Sequence, residues 1–419
     1  MKAVLAEISI PRYLVTAAAQ KIPSGRGGSA GWGPGGLLRL ADVPRPSLPA
    51  APGWVRVRPE LSGVCGSDVA LAHANSSFKL TAFFHADKQV LGHEIVGVVD
   101  TVGPGVTAVA EGDRVAVNPV FSCLQRGFDP PCRACAEGHP GVCERFDLPG
   151  DVSCASPSLG FDLKVGGGWG EEVVAHQSQL YPVGSIASRR AVLAEPASIV
   201  THAALRWQRR GDRVVVIGPG SIGLLMTASL RMLHPDLDII VVSPNEFGTE
   251  QATRSGASRV LPSGPQAVEQ LAASDGGRVL RPRMTKVPIL ERGVDAVFDC
   301  VGLPQTIELG LHLLRSTGMF VLIGGAAKQS IDWSLVWSRR LTIAGTYNFG
   351  PEPSLGGRHT FDQVVEWLGD EAYGVDHLVT HTFDLDAWTT ALATASAGPR
   401  AGAVKVTLRP NPEIPLVDG

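Results

Sequence analysis

The chain has 419 residues with 37 basic and 40 acidic side chains and no run of like charge. That balance argues against a nucleic-acid partner and a disordered tail. The length exceeds one simple core and suits two or three domains. Hydrophobic content of 44% is ordinary for a globular protein. No stretch of ~20 apolar residues is free of charge or turn formers, so no membrane span is expected.

The first residues, "MKAVLAEISIPRYLVTAAAQ", fit a signal peptide only loosely, because Glu7, Pro11 and Arg12 break the apolar core. They read instead as a first strand, Lys2 to Ile8. Residues 20–38 are Gly-rich and read as a mobile surface loop. "GWVRVRPEL" (53–61) alternates as a strand does. "EIVGVVDTVG" (94–103), "DRVAVNPV" (113–120) and "EEVVAHQSQLYPV" (171–183) extend the β-rich texture to about 190.

The pattern then changes. "AVLAEPASIVTHAALRWQ" (191–208) reads as a helix, and "RVVVIG" (213–218) as a buried parallel strand. "SIGLLMTASLRMLHP" (221–235) is a helix, and "DIIVVS" (238–243) the next strand. "VDAVFDCVG" (294–302), "PQTIELGLHLLRSTG" (304–318) and "MFVLIGG" (319–325) continue as strand, helix and strand. Such alternation predicts a doubly wound parallel sheet. Residues 262–292, with mixed charges and a Pro-Arg-rich stretch, read as an insertion. From about 346 the pattern weakens, leaving a helix at 360–370 and a closing strand at 403–410.

Gly218-Pro-Gly220-Ser-Ile-Gly223 follows a buried strand and opens a helix. In that context Gly218 makes the tight turn, Gly220 admits a pyrophosphate and Gly223 lets helix and strand pack closely. The backbone of Ser221 and Ile222 adds amide donors at the positive end of the helix dipole. About 20 residues on, where a carboxylate holds the adenosine ribose in NAD enzymes, stands Ser243. Its neutral side chain removes the repulsion of a 2′-phosphate and tilts the expectation from NAD to NADP. Glu246 is an alternative ribose partner, and Arg254 and Arg259 are the nearest cations in sequence.

Two constellations suit zinc. "GVCGSD" and "LGHEIVG" supply Cys65, His93 and Glu94, and "LAEPAS" supplies Glu195. A thiolate, an imidazole and a carboxylate leave a fourth position open for substrate. Four of the seven cysteines, Cys123, Cys132, Cys135 and Cys143, lie within 121–143. An odd cysteine count in a large chain favours metal ligation in a reducing, cytoplasmic setting over disulfides.

The chain resembles the zinc-dependent medium-chain alcohol dehydrogenases, closer to their polyol, sugar and threonine type. "CGSD", "GHE", "GDRVAV", the cysteine cluster, "AEP", "GPGSIG" and "DCVG" carry the resemblance, in the family's order, from roughly 60 to 350. It implies a β-rich GroES-like catalytic domain (1–190), a Rossmann domain (191–345) and a return to the catalytic domain (346–419). It further implies an NAD- or NADP-linked enzyme that interconverts secondary alcohols and ketones, works on a small molecule and assembles as a homo-oligomer. By the same resemblance, Cys65, His93 and Glu195 hold a catalytic zinc, and Ser67 contacts the substrate oxygen. Glu94 enters the metal shell or orients it, and Asp68 holds His93 or its loop. Gly302, Ile323 and Gly324 present backbone to the nicotinamide. Ala70 stands where some relatives continue a proton relay with histidine, and His73 is nearby. The four clustered cysteines hold a second, structural zinc. Cys123 lies outside the family's strict spacing, which puts Asp129 in a ligand position, so Asp129 competes with it. Zinc-free quinone or enoyl reductases on the same fold lack the Cys65, His93 and Glu195 set. A non-enzymatic cofactor-binding protein has no use for an open metal site.

Overall fold

A computed structural model describes residues 1–20, 32, 35–84, 86–148, 156–284 and 287–418. Most of the Gly-rich loop expected over 20–38 lies outside them. The chain forms two compact units. The first comprises 1–195, 348–369 and 379–419, and the second 196–347 and 370–378. Among the described residues no helix is long and apolar enough to cross a membrane.

The first unit is β-rich. Its larger sheet runs Val379–Asp384, Lys405–Arg409, Trp54–Gly63, Ile95–Val102, Arg114–Val117 and Leu180–Pro182, with Val173–His176 also paired to Trp54–Gly63. Trp54–Gly63 sits centrally because nearly all its side chains are buried; Val55, Val57 and Leu61 are fully so. A smaller sheet joins Lys2–Glu7 to Leu38–Asp42 and Lys88–Val90. The N-terminal segment is therefore a strand, with Ala3, Val4 and Ala6 fully buried. A helix follows at Ile10–Ala19, with Pro11 in its first turn, where a missing N–H costs nothing.

The second unit is a six-stranded parallel sheet in the order Arg259–Pro262, Asp238–Ser243, Arg213–Ile217, Val294–Asp299, Leu314–Leu322 and Thr342–Gly345. Counted in chain order this is 3-2-1-4-5-6, whose direction reverses between the first and fourth strands, the place where such sheets bind dinucleotides.

Two readings of the sequence are corrected here. Residues 262–292 are not wholly an insertion. Pro265–Asp275 is a helix whose Ala267, Val268 and Leu271 enter the sheet's core, and only a short hairpin, Val279–Leu280 with Ile289–Leu290, is extra. Its outer face carries Gln266, Gln270 and Ser274, and the Pro-Arg-rich stretch after it obscured the apolar face. The helix beginning at Pro304 stops at Leu313, because Leu314 already lies beside Val294 in the parallel ladder. Pairing with a neighbouring strand overrides the local helical pattern of "LHLL".

Candidate active site and dinucleotide turn

The site in the first unit is assembled by strand pairing. Cys65 lies just past the end of Trp54–Gly63, and His93 and Glu94 lie just before Ile95–Val102. These strands are antiparallel, with Ser62 opposite Ile95, so that end and that start coincide. Lys405–Arg409 flanks the other side, with Thr407 opposite Gly63, and brings Lys405 to the same end. A Cβ at Gly63 would lie 1.7 Å from a Glu94 carboxylate oxygen, so only glycine fits there.

One ligand atom each from Cys65, His93 and Glu94 lies within 4.8 Å of the others. Glu195 stands outside that group, buried at 4% exposure in the first turn of Ala194–Arg206. Burial pushes its carboxyl up to about 7; Glu94 and Asp68 push the same way, against His93 and Lys405. Asp68 accepts from the Cys65 N–H at 2.9 Å and so fixes the loop. Its other oxygen is 3.9 Å from His93 Nδ1, too far for a hydrogen bond. Both atoms are buried and lack a hydrogen-bond partner. Burial pushes the His93 pKa down, but Asp68 and Cys65 outweigh it and hold it well above the usual value.

Lys405 was not singled out from the sequence. Its Nζ is buried and donates to both Glu94 oxygens, at 2.7 and 2.8 Å. A lysine within the mainly apolar "AVKVTL" strand was the available signal. Ser67 is exposed in the first turn of Gly66–Ala72. His73 caps that helix, faces Ser396 Oγ at 3.1 Å and packs edge-on against Trp32.

These residues fit a divalent metal: soft and borderline donors converge where buried polar atoms lack partners. The cysteine lobe fits one as well. Its four sulfurs lie within 4.8 Å of one another, with Cys123 to Cys143 at 3.6 Å and Cys132 to Cys143 at 3.9 Å. A tetrahedron with metal–sulfur bonds of about 2.3 Å has sulfur–sulfur edges of roughly 3.8 Å. All four are free cysteines. The Cys132 thiol is lowered to about 7: burial raises it, but the Cys135 and Glu144 amides outweigh that. Asp129 is exposed and outside the cluster.

In the second unit the three glycines have separate geometric tasks. Gly218 has φ +96°, and a Cβ there would meet Val301 at 2.3 Å. A Cβ at Gly223 would lie 1.8 Å from the Gly218 carbonyl oxygen, whereas Gly220 faces open space. Gly220 precedes the helix Ser221–Leu233, whose second residue is Ile222. Gly302 and Gly324 touch backbone to backbone, each barring a side chain on the other, and the N–H groups of Ile323 and Gly324 donate to the Asp299 carbonyl. The buried Asp299 carboxylate accepts from the N–H groups of Val301 and Gly302 and from Thr306 Oγ1, a device the sequence reading missed. Ser243 is buried, and its hydroxyl donates to the Asn245 carbonyl at 2.8 Å; Glu246 is exposed.

Residues 51–185 match the alcohol dehydrogenase GroES-like domain and residues 221–370 the zinc-binding dehydrogenase domain, together more than half the chain. The starvation-sensing protein RspB of Escherichia coli (strain K12) is 26% identical over 346 residues, 82% of this chain and 87% of that protein. A sorbitol dehydrogenase of Arabidopsis thaliana is 26% identical over 379 residues, 88% of this chain and 91% of its own. The crystal structure of galactitol-1-phosphate dehydrogenase from Escherichia coli shares the fold, with a TM-score of 0.72 at 21% identity, over 98% of this chain and 100% of that one. A GroES-like unit, a dinucleotide-binding parallel sheet and two metal-competent clusters thus coincide in one chain, which belongs to the zinc-type alcohol dehydrogenase family of medium-chain oxidoreductases.

Proposed function

We propose that the chain interconverts a secondary alcohol and its ketone with NAD or NADP, at a zinc held by Cys65, His93 and Glu195. The observation that carries this is the convergence of Cys65, His93 and Glu94, with Lys405 occupying both oxygens of Glu94 and the buried Glu195 close enough to act electrostatically on His93. Because Lys405 engages Glu94, we assign the third ligand to Glu195 and an orienting role to Glu94. A zinc held there would supply Lewis acidity, and a bound nicotinamide would supply hydride chemistry.

The chain's own groups do the rest. Asp68 fixes the Cys65 loop and faces the Nδ1 edge of His93. Ser67, exposed beside Cys65, holds the substrate hydroxyl and moves its proton outward. The Gly218–Gly223 turn and the amides of Ser221 and Ile222 receive the pyrophosphate. Ser243 borders the adenosine ribose, and Gly302, Ile323 and Gly324 offer backbone to the nicotinamide. Cys123, Cys132, Cys135 and Cys143 form a closed structural zinc site that does no chemistry.

The names of relatives, among them sorbitol dehydrogenase, D-xylulose reductase and L-idonate 5-dehydrogenase, point to polyols and sugar acids as the first class to try. A cytoplasmic homo-oligomer completes the reading. In its support, the described cysteines are free, and the edge strand Thr342–Gly345 exposes Ile343, with Trp337 and Tyr347 exposed on the segments before and after it in the chain.

Zinc content and turnover test the assignment. The wild type is expected to carry two zinc ions per chain. Glu195→Gln loses one zinc and its activity, while Glu94→Gln keeps both metals. Loss of zinc from Glu94→Gln alone would reverse the ligand assignment.

A further inference from the structure

His93 is covered by aromatic rings that the metal chemistry does not use. Phe161 stacks on its imidazole at a centroid distance of 5.3 Å and an interplanar angle of 27°. Phe84 packs on Phe161 at 4.6 Å. Phe83, next to Phe84 in the chain, pairs with Phe146 at 5.2 Å. None of these four side chains is buried, and Phe83 is 47% exposed. The wall is also rigidly seated. Gly160 has φ +85°, and a Cβ there would lie 2.6 Å from the Gly92 carbonyl oxygen and 3.2 Å from the His93 nitrogen. The backbone just before Phe161 is thus pressed against the backbone that carries His93.

Partly exposed aromatic faces grouped beside a reactive centre are the composition of a ligand wall. A polyhydroxylated chain laid on such faces loses water contacts without gaining hydrogen bonds. An aryl or branched alkyl group gains offset stacking and apolar burial there. We propose that the substrate's carbinol carbon bears an aromatic or bulky apolar arm that packs on Phe161 and Phe84. This rests on the secondary-alcohol reading of the same site and departs from the polyols that the relatives' names suggest.

If Phe161 only steadied His93, truncating it would slow all alcohols alike. As a specificity wall, it favours one class. The test measures kcat/KM for 1-phenylethanol, 2-butanol and sorbitol with both cofactors, in the wild type, Phe84→Ala, Phe161→Leu and Phe161→Ala. Zinc content and thermal midpoint are recorded for each. In the wild type 1-phenylethanol is expected to exceed both other alcohols by about tenfold or more, the scale of one aromatic contact. Phe84→Ala and Phe161→Ala lower the ratio of 1-phenylethanol to 2-butanol by about tenfold, and Phe161→Leu by less. Phe84→Ala, one ring removed from His93, keeps the test open if Phe161→Ala fails to fold. A wild type that prefers sorbitol, or a ratio unmoved by Phe84→Ala and Phe161→Leu, overturns the aromatic arm while leaving the dehydrogenase reading intact. A zinc-loaded wild type that turns over none of the three alcohols, and no other alcohol or ketone, overturns both.

Discussion

Replacing Lys405 with methionine removes the cation bound to Glu94 while roughly keeping the volume of the side chain. Lys405 is 3% exposed and donates to both Glu94 oxygens, and Glu94 itself is fully buried. Each hydrogen bond to a charged group is worth about 1.5–3 kcal/mol, and breaking a buried pair from one side costs about 3–5 kcal/mol. The two estimates agree, so Lys405→Met should destabilise the first unit by about 3–5 kcal/mol. Most of that is the stranded carboxylate rather than the lost attraction. The double variant Lys405→Met/Glu94→Gln should therefore recover more than half of the loss, since a neutral amide is far cheaper to bury. Urea unfolding followed by tryptophan fluorescence, with and without a chelator, gives the numbers. A single variant costing under about 1 kcal/mol, or a double variant no better than the single, would refute the reasoning.

In the cysteine lobe, Cys135→Ser and Cys123→Ser should each release one zinc and lower the thermal midpoint, since metal binding there is folding energy; Asp129→Ala should do neither. The metal-stripped protein should lose stability as pH rises from about 5 to 8. The folded pKa of His93 is raised, so its contribution is full below the unfolded value and fades as pH passes the folded one; the raised Glu195 carboxyl, at about 7, likewise favours the folded state only below it. Zinc should abolish that slope, and a flat profile in differential scanning fluorimetry of the stripped protein would count against it. For the cofactor, the wild type should use NADP at least as well as NAD. Ser243→Asp should shift preference roughly ten- to a hundredfold toward NAD by adding charged hydrogen bonds to the ribose and repelling a 2′-phosphate. Steady-state kinetics with both cofactors decide it, and a wild type strongly selective for NAD would implicate Glu246 or another group.

What the sequence alone determined is what neighbouring residues determine together. The strand, turn and helix at 213–233 were legible because burial, glycine spacing and helical periodicity all act within about 20 residues. The cysteine lobe was legible for the same reason, since its four sulfurs come from a single short loop. Tertiary structure decided the rest. Lys405 meets Glu94 across 311 positions because two strands flank a third, and no spacing rule reports that. His73 stands close to Cys65 in sequence, but the groups its ring meets, Ser396 and Trp32, are both remote along the chain. The stacking of Phe161 on His93 left no local trace either, because it goes with a glycine at 160 pressed against the backbone of Gly92 and His93, far away in the chain. Local patterns fix elements and turns; which side chains meet at their ends is set by strand pairing, whose partners lie far away in the chain.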